Sequence, residues 1–275
     1  MLEIIKAILF GIVEGITEWL PISSTGHMIL LNEFVKMEVS EEFWDMFLVV
    51  IQLGAILAVV LLYFWKIWPF GRKKSGGITF KKDTISLWCK IIVACIPAAI
   101  VGLAFDDLFD ALFYNKICVS IALIVFGIAF ILIENWNRGK KPAIGSLTRL
   151  DYKTVILIGM FQLIAAIFPG TSRSGATIVG ALLLGVSRTV AAEFTFFLAI
   201  PVMFGASLLK VVKFILSGVA ISGMELAILG IGLVVAFVVS IVVIRFLMSY
   251  IKKHDFKVFG WYRIILGLLV LLILR

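Results

Sequence analysis

Along this chain, six stretches stay apolar for about the length a helix needs to cross a bilayer, roughly 20 residues for a hydrocarbon core about 30 Å thick. They are Phe43 to Phe64, Ser86 to Phe105, Ile117 to Ile133, Thr189 to Leu209, Leu226 to Leu247 and Phe259 to Leu274. Two further apolar stretches are interrupted. Ile4 to Leu20 meets Pro21 and resumes after Ser24 as His27 to Val35, and Thr154 to Phe168 meets Pro169-Gly170 and resumes as Gly175 to Val186. Each second arm is too short to span comfortably, and proline disfavours helix at the residue before it. Both stretches therefore read as re-entrant helical hairpins with polar tips inside the membrane. Irregular backbone is tolerated there only where protein or water satisfies it.

The linkers give an orientation. Lys66 to Lys90 contains Arg72, Lys73, Lys74, Lys81 and Lys82; Arg138 to Lys153 contains Lys140, Lys141 and Arg149; Arg245 to Arg263 contains Lys252, Lys253 and Lys257. Basic residues mark cytoplasmic loops, so these three are expected inside. The alternating linkers, with Glu33, Glu38, Glu41 and Glu42, with Asp106, Asp107 and Asp110, or with Ser217 to Gly223, are expected outside. The first hairpin then enters from outside and the second from the cytoplasm. A weak internal repeat agrees: Gly11, Ile16, Pro21 and Ser24 recur at constant spacing as Gly159, Ile164, Pro169 and Ser172, Glu14 faces Gln162, and Val39-Ser40 matches Val186-Ser187 with one residue dropped. The expected architecture is an all-α polytopic membrane protein with an inverted-topology repeat, each half one re-entrant helical hairpin plus three transmembrane helices. It forms a single membrane domain, residues 1–275, with repeat one at about 1–140 and repeat two at about 150–275. In such plans the binding site lies where the broken helices meet.

Composition narrows the class. A hydrophobic share of 62% with 15% charged residues and a mean hydropathy of +1.15 belongs to a polytopic membrane protein, so the formal charge of +8 reflects basic loops and not a nucleic-acid partner. Cys89, Cys95 and Cys118 form no C-x-x-C pair and read as packing residues. Glu3 and the lack of an A-x-A-like site argue against a cleaved signal peptide, so the first segment is expected to remain. Asp45, Glu134, Glu193 and Glu225 fall near span ends, where solvation or pairing is the ordinary reading, and Lys90 and Arg245 can snorkel. Trp44, Trp65, Trp68, Trp261 and Tyr262 fit interfacial belts.

The candidate chemistry lies at the hairpin tips, where charge at membrane depth needs a reason. Glu14 and Glu18 share one helical face, which suits a divalent metal site or an acid/base pair; a pair bonded to nearby backbone, or a wet face, is the bland alternative. Ser23, Ser24 and Thr25 open the resumed helix, either as caps or as groups at a phosphate seat formed by its N-terminus. His27, one of two histidines, is a candidate nucleophile or general acid/base, against a satisfied core histidine; His254 lies in a basic loop and reads as solvated. Arg173, within Thr171-Ser172-Arg173-Ser174, can grip phosphate bidentately or pair with Glu14 or Glu18; Ser172, Ser174 and Thr177 add hydroxyls.

The segments Glu14-Gly15-Ile16-Thr17-Glu18-Trp19-Leu20-Pro21-Ile22-Ser23-Ser24-Thr25-Gly26-His27 and Pro169 to Thr177 resemble the two signature motifs of the bacterial undecaprenyl-diphosphate phosphatases, the bacitracin-resistance family, and the likeness extends over essentially the whole chain. The resemblance implies a multi-pass phosphatase of the bacterial cytoplasmic (inner) membrane. It implies hydrolysis of undecaprenyl diphosphate to undecaprenyl phosphate and inorganic phosphate, recycling the lipid carrier of cell-wall synthesis, with a divalent cation such as Mg2+ or Ca2+. By motif position it gives Glu14 and Glu18 as the paired acids, Ser24 and His27 as the serine/histidine segment, and Arg173 as the phosphate-binding arginine. The family is also associated with a site open to the outer face and with homodimers. For that reaction we expect His27 as nucleophile or base, attacking the terminal phosphorus to give a phosphohistidine or activating water or Ser24. A different class remains, a transporter or flippase for an anionic lipid or small anion, because inverted hairpin repeats are a transport architecture.

Overall fold

The computed structural model describes residues 1–72 and 77–273, apart from the side chains of Leu103, Asp106, Asp107 and Asp110. Lys73, Lys74, Leu274 and the three aspartate side chains of the sequence reading lie outside the described residues. The order is α1 (Leu2–Thr17), α2 (Ser24–Phe34), α3 (Glu41–Val50), α4 (Gln52–Leu62), α5 (Phe64–Ile67), β1 (Phe70–Arg72), β2 (Ile78–Phe80), α6 (Lys82–Phe113), α7 (Lys116–Trp136), a 3-10 turn at Leu147–Arg149, α8 (Tyr152–Ile167), α9 (Arg173–Leu183), α10 (Arg188–Leu216), α11 (Gly223–Tyr250) and α12 (Lys257–Ile273). Among the described residues, five helical segments are long and apolar enough to cross a membrane, Glu41–Leu62, Lys82–Gly102, Lys116–Trp136, Arg188–Leu216 and Gly223–Tyr250, and α12 adds a shorter apolar helix. The chain is a multi-pass, essentially all-α membrane protein.

Three details differ from the sequence reading. The first span is broken at Ile51, where the Gly54 N–H bonds back only three residues to the Ile51 carbonyl. Helix α6 runs through Pro97 and past Phe105 to Phe113, so the backbone at 106–110 is helical and not a linker. The first basic linker folds into a small antiparallel hairpin, β1 paired with β2, with Gly71 opposite Thr79.

Both interrupted helices are hairpins, and their turns share one conformation. Ser23 (φ 75°) and Ser172 (φ 67°) are the only non-glycine residues with positive φ among those described. Each caps the second arm in the same way, accepting a hydrogen bond from the amide three residues on, Gly26 to Ser23 at 3.3 Å and Gly175 to Ser172 at 3.2 Å. A non-glycine residue held there costs about 1–3 kcal/mol, a strain that persists only where the surroundings over-determine it. Ser40 and Ser187 likewise both cap the helix that follows each hairpin. The sequence pairing needs one correction here. The spacing that matches Gly11 with Gly159 slips by one residue at the turn, because Pro169 to Ser172 holds one residue more than Pro21 to Ser23; Ser23, not Ser24, is the counterpart of Ser172, and Ser24 is that of Arg173.

The first arms are held by close backbone approach. A methyl group added to Gly11 would lie 2.7 Å from the Gly232 carbonyl oxygen of α11, and one added to Gly159 would collide with the Ala94 carbonyl of α6. Each first arm thus packs against a helix from the other half of the chain. The turns themselves are joined by Arg263 of α12, which is fully buried. Its guanidinium donates to the Pro21 carbonyl of the first turn at 3.2 Å, and to the Gly170 and Thr171 carbonyls of the second at 3.0 and 2.7 Å. Longer bonds reach Leu123 and Ala122 of α7, whose Phe126 ring lies 5.9 Å from the guanidinium. Turn carbonyls in an apolar interior have no water to bond, and one planar fork with five donors satisfies carbonyls from both turns.

The basic linkers gather at one end. Glu134 of α7 takes a bidentate pair from Arg188 and also accepts from the Phe256 amide at 3.0 Å, Lys66 pairs with Glu193 at 2.8 Å, and Ile144 bridges Val186. Lys90 does not snorkel as expected but is buried and reaches the Thr148 carbonyl. At the opposite end Glu3 accepts from Lys6 and from the Glu38 amide, and Ser222 and Glu225 form a reciprocal cap that starts α11.

Two outcomes follow from this packing. Gly159→Ala should lower unfolding stability in detergent by about 1–3 kcal/mol because α6 and α8 must separate, whereas Gly230→Ala, with open space around it, should not; equal effects would contradict the close-approach account. Arg263→Lys places one compact ammonium where carbonyls from two turns must be served, so an SDS titration should show a loss of about 2–4 kcal/mol. A midpoint within error of the native protein would show that the turns do not depend on the guanidinium.

Candidate active site

Glu18 is the centre of the site. Helix α1 ends at Thr17, but Glu18 keeps helical angles and its amide bonds to the Glu14 carbonyl at 3.0 Å, so the two acids share one face as the spacing predicts. Both are buried, at 1% and 5% exposure. One Glu18 carboxylate oxygen accepts from Arg173 Nη2 at 2.8 Å, the other from the Ser24 hydroxyl at 2.8 Å, and its backbone carbonyl accepts from the Ser174 hydroxyl at 3.2 Å. Ser24 and Arg173 are the first residues of α2 and α9, set by matching turns. The pseudo-equivalent N-terminal residues of the two short arms therefore converge on one carboxylate.

Arg173 is further fixed by α10. Its Nη1 donates to the Thr195 carbonyl at 3.0 Å, and Thr177 ties the same corner together by bonding the Arg173 carbonyl at 2.9 Å and the Thr195 hydroxyl at 2.8 Å. Two of the five guanidinium N–H groups are thus used and three remain for a ligand.

Buried polar atoms without partners concentrate here. Among the described residues they are Glu14 Oε1, Trp19 Nε1, both amide atoms of Gln162, Thr171 Oγ1, Arg173 Nε and, on α7, Ser120 Oγ. All but the last belong to the two hairpins. Leaving such a group unmade costs about 1–3 kcal/mol each, so the hairpins hold polar capacity that the protein itself does not use. Glu14 lies within electrostatic reach of Glu18 and Arg173, and the Trp19 ring packs edge-on to Phe196, 5.2 Å away, beside Thr195.

The remaining sequence candidates divide. Ser23 and Ser172 cap their helices, with Ser172 Oγ also 3.2 Å from Ser174 Oγ; Thr25 is half-buried in the same first turn. His27 does not bond Glu18 or Arg173. Its Nδ1 is 2.7 Å from the Ser23 carbonyl and its Nε2 2.8 Å from the Tyr262 hydroxyl, with the two rings parallel at 5.6 Å. Tyr262 is therefore not merely a belt residue, as its position near a span end implied. Arg263 was legible only as the end of a basic linker, since one arginine at the start of an apolar run looks like any flanking cation. His254 is exposed and stacks on Tyr250. A cavity of about 530 Å³ lined by Lys66, Lys90 and Glu193 lies at the basic end and includes none of the hairpin-turn residues.

No three His, Cys, Asp or Glu side chains converge into a metal cage among the described residues. The carboxylate chemistry nevertheless fits a divalent cation: Glu14 offers a buried oxygen with no partner beside the Glu18 carboxylate. Magnesium commonly takes one or two carboxylates and completes its shell with phosphate and water oxygens.

Comparison with known proteins gives the family. Residues 7–269 match the family model described as Bacitracin resistance protein BacA. An undecaprenyl-diphosphatase of Desulfitobacterium hafniense is 66% identical over 99% of this chain and 96% of its own length. Undecaprenyl-diphosphatase 1 of Clostridium acetobutylicum is 68% identical over 98% and 97%, and an undecaprenyl-diphosphatase of Enterococcus faecalis is 58% identical over 99% and 97%. With the model matched across nearly all of its length, the chain belongs to the bacitracin resistance protein family.

Proposed function

We propose that the protein is an integral membrane phosphatase that hydrolyses undecaprenyl diphosphate to undecaprenyl phosphate and inorganic phosphate, returning the lipid carrier to cell-wall synthesis. The observation that carries this is the convergence of Ser24 and Arg173 on Glu18, surrounded by buried polar atoms that lack partners. Simple anion transport needs a cation at the tip; it does not need a serine hydroxyl held on a carboxylate.

In this reading the terminal phosphate sits on the free donors of Arg173 and the N-terminal turns of α2 and α9, where phosphoryl transfer gains most of its rate from charge neutralisation. Glu14 and Glu18 would hold Mg2+ or Ca2+, which when bound supplies positive charge to the phosphoryl oxygens. Ser24 is the better-placed nucleophile, because its hydroxyl already donates to Glu18 whereas both ring nitrogens of His27 are engaged. Its oxygen attacks the terminal phosphorus as the proton passes to Glu18, and the phosphoanhydride bond breaks to release undecaprenyl phosphate. Water then attacks the phosphoserine and gives its proton to His27, Ser24 recovers its proton from Glu18, and His27 returns to neutral by passing its proton to the departing phosphate or to water.

The same reading places the site toward the outer face of the bacterial inner membrane. The basic linkers share one end, the turns lie against Val119 and Leu123 of α7, about 5 to 10 Å from the opposite end of that helix, and Arg173 reaches Thr195, about 10 Å from the basic end of α10 by the rise of 1.5 Å per residue, so the site lies between the two ends and the reading opens it outward. Vesicles of right-side-out orientation should consume substrate supplied only to the outer leaflet; consumption of inner-leaflet substrate alone would reverse the assignment.

Purified protein should release phosphate from undecaprenyl diphosphate, and Glu18→Gln, His27→Ala and Arg173→Ala should each lose about a hundredfold or more in kcat/KM, the scale of removing a group that acts on the transition state. Chelation should abolish the activity and Mg2+ or Ca2+ restore it. No phosphate release by the native protein, together with uptake of the lipid or anion into liposomes, would establish a transporter instead. Rapid-quench trapping should label Ser24, and label on His27 would exchange the two roles.

A further inference from the structure

The Ser23 carbonyl, and not the Tyr262 hydroxyl, decides which imidazole nitrogen of a neutral His27 carries the proton. The Ser23 carbonyl can only accept, so at 2.7 Å it takes the hydrogen of Nδ1. A neutral ring has one N–H, which leaves Nε2 as a bare acceptor facing the Tyr262 hydroxyl at 2.8 Å. The phenol ring lies parallel to the imidazole, inclined by 5°, and so fixes its plane as well as its lone pair. Tyr262 is held in turn by its neighbour in α12, because Arg263 binds the carbonyls of both hairpin turns. The pair is more exposed than Glu18: His27 is half-buried and Tyr262 is 45% exposed.

We propose that Tyr262 is a positioning residue for His27: its hydroxyl aims and shields the Nε2 lone pair until a phosphate arrives, then turns about its C–O bond to a phosphoryl oxygen and leaves Nε2 free to take a proton from water. This rests on the assignment of the hairpin tips as the site of phosphate release. It explains why His27, the fourth residue of α2, bonds to the last helix of the chain and not to Glu18. It also couples the chemistry of the first turn to the helix that clamps both turns. No bond to carbon or phosphorus is made by Tyr262; one hydrogen bond is exchanged for another.

The test uses two readouts on the full-length protein in detergent. With 15N-labelled histidine and His254→Gln, only the His27 ring is observed, and at neutral pH it should be protonated at Nδ1 and bare at Nε2. Tyr262→Phe, which keeps the stacked ring and removes the hydroxyl, should move the Nε2 resonance to that of a ring nitrogen with no donor. It should also lower kcat about fivefold, the scale of one neutral hydrogen bond, with KM within about twofold. A native His27 protonated at Nε2, an Nε2 resonance unmoved by Tyr262→Phe, or a kcat unchanged by it would each overturn the proposal. The native tautomer is read without any change to Tyr262, so a variant that folds poorly does not blunt the test. Because the resonances are read without turnover, failure here is distinct from failure of the native protein to release phosphate.

Discussion

A carbonyl oxygen in an apolar interior must find a donor, and two broken helices expose several at once. In this protein the donor is the buried Arg263 guanidinium, which reaches Pro21 in one turn and Gly170 and Thr171 in the other. The active-site geometry depends on that shared clamp. The Glu18 contacts already tie Ser24 to Arg173, and the clamp adds a second tie behind them, so the first residues of α2 and α9 are fixed relative to one another at two points. The strain accepted at Ser23 and Ser172 fits the same logic, since a left-handed serine survives only where capping and clamping over-determine it.

Given the clamp, the site assembles from two similar pieces with different contents. Corresponding positions deliver a hydroxyl from Ser24 and a guanidinium from Arg173 to the two oxygens of Glu18. Divergence between the hairpins, Glu14 against Gln162 and His27 against Ala176, leaves the acids and the imidazole in the first hairpin and the guanidinium in the second. A wholly apolar version of these turns would leave fewer unsatisfied atoms. The retained ones are understandable as binding capacity for a substrate whose headgroup supplies the missing partners.

Much of this was legible in the chain. Apolar runs gave the long helices, and Pro21 and Pro169-Gly170 gave the breaks, because proline and charge in hydrocarbon leave few alternatives. Glu14, Glu18, His27 and Arg173 stood out for the same reason, whereas only the family resemblance separates Ser24 from Ser23 and Thr25. The register of the second turn was not legible, since one extra residue between proline and serine is invisible to a constant-spacing match. Nor were Arg263 and Tyr262: near a span end, arginine and tyrosine look like interfacial anchors, and only tertiary contact shows that they turn inward. The extension of α6 to Phe113 was missed because aspartates after Phe105 read as a linker, while the backbone continues its hydrogen bonding through them.

The central claim is that Glu18 and Arg173, distant in the chain, form one functional unit. A double-mutant cycle on phosphate release, with Glu18→Gln, Arg173→Gln and the pair together, measures this directly. The account predicts that the double variant is about as active as the weaker single variant. Losses that simply multiply would mean that the two residues act independently, and the shared site described here would be wrong.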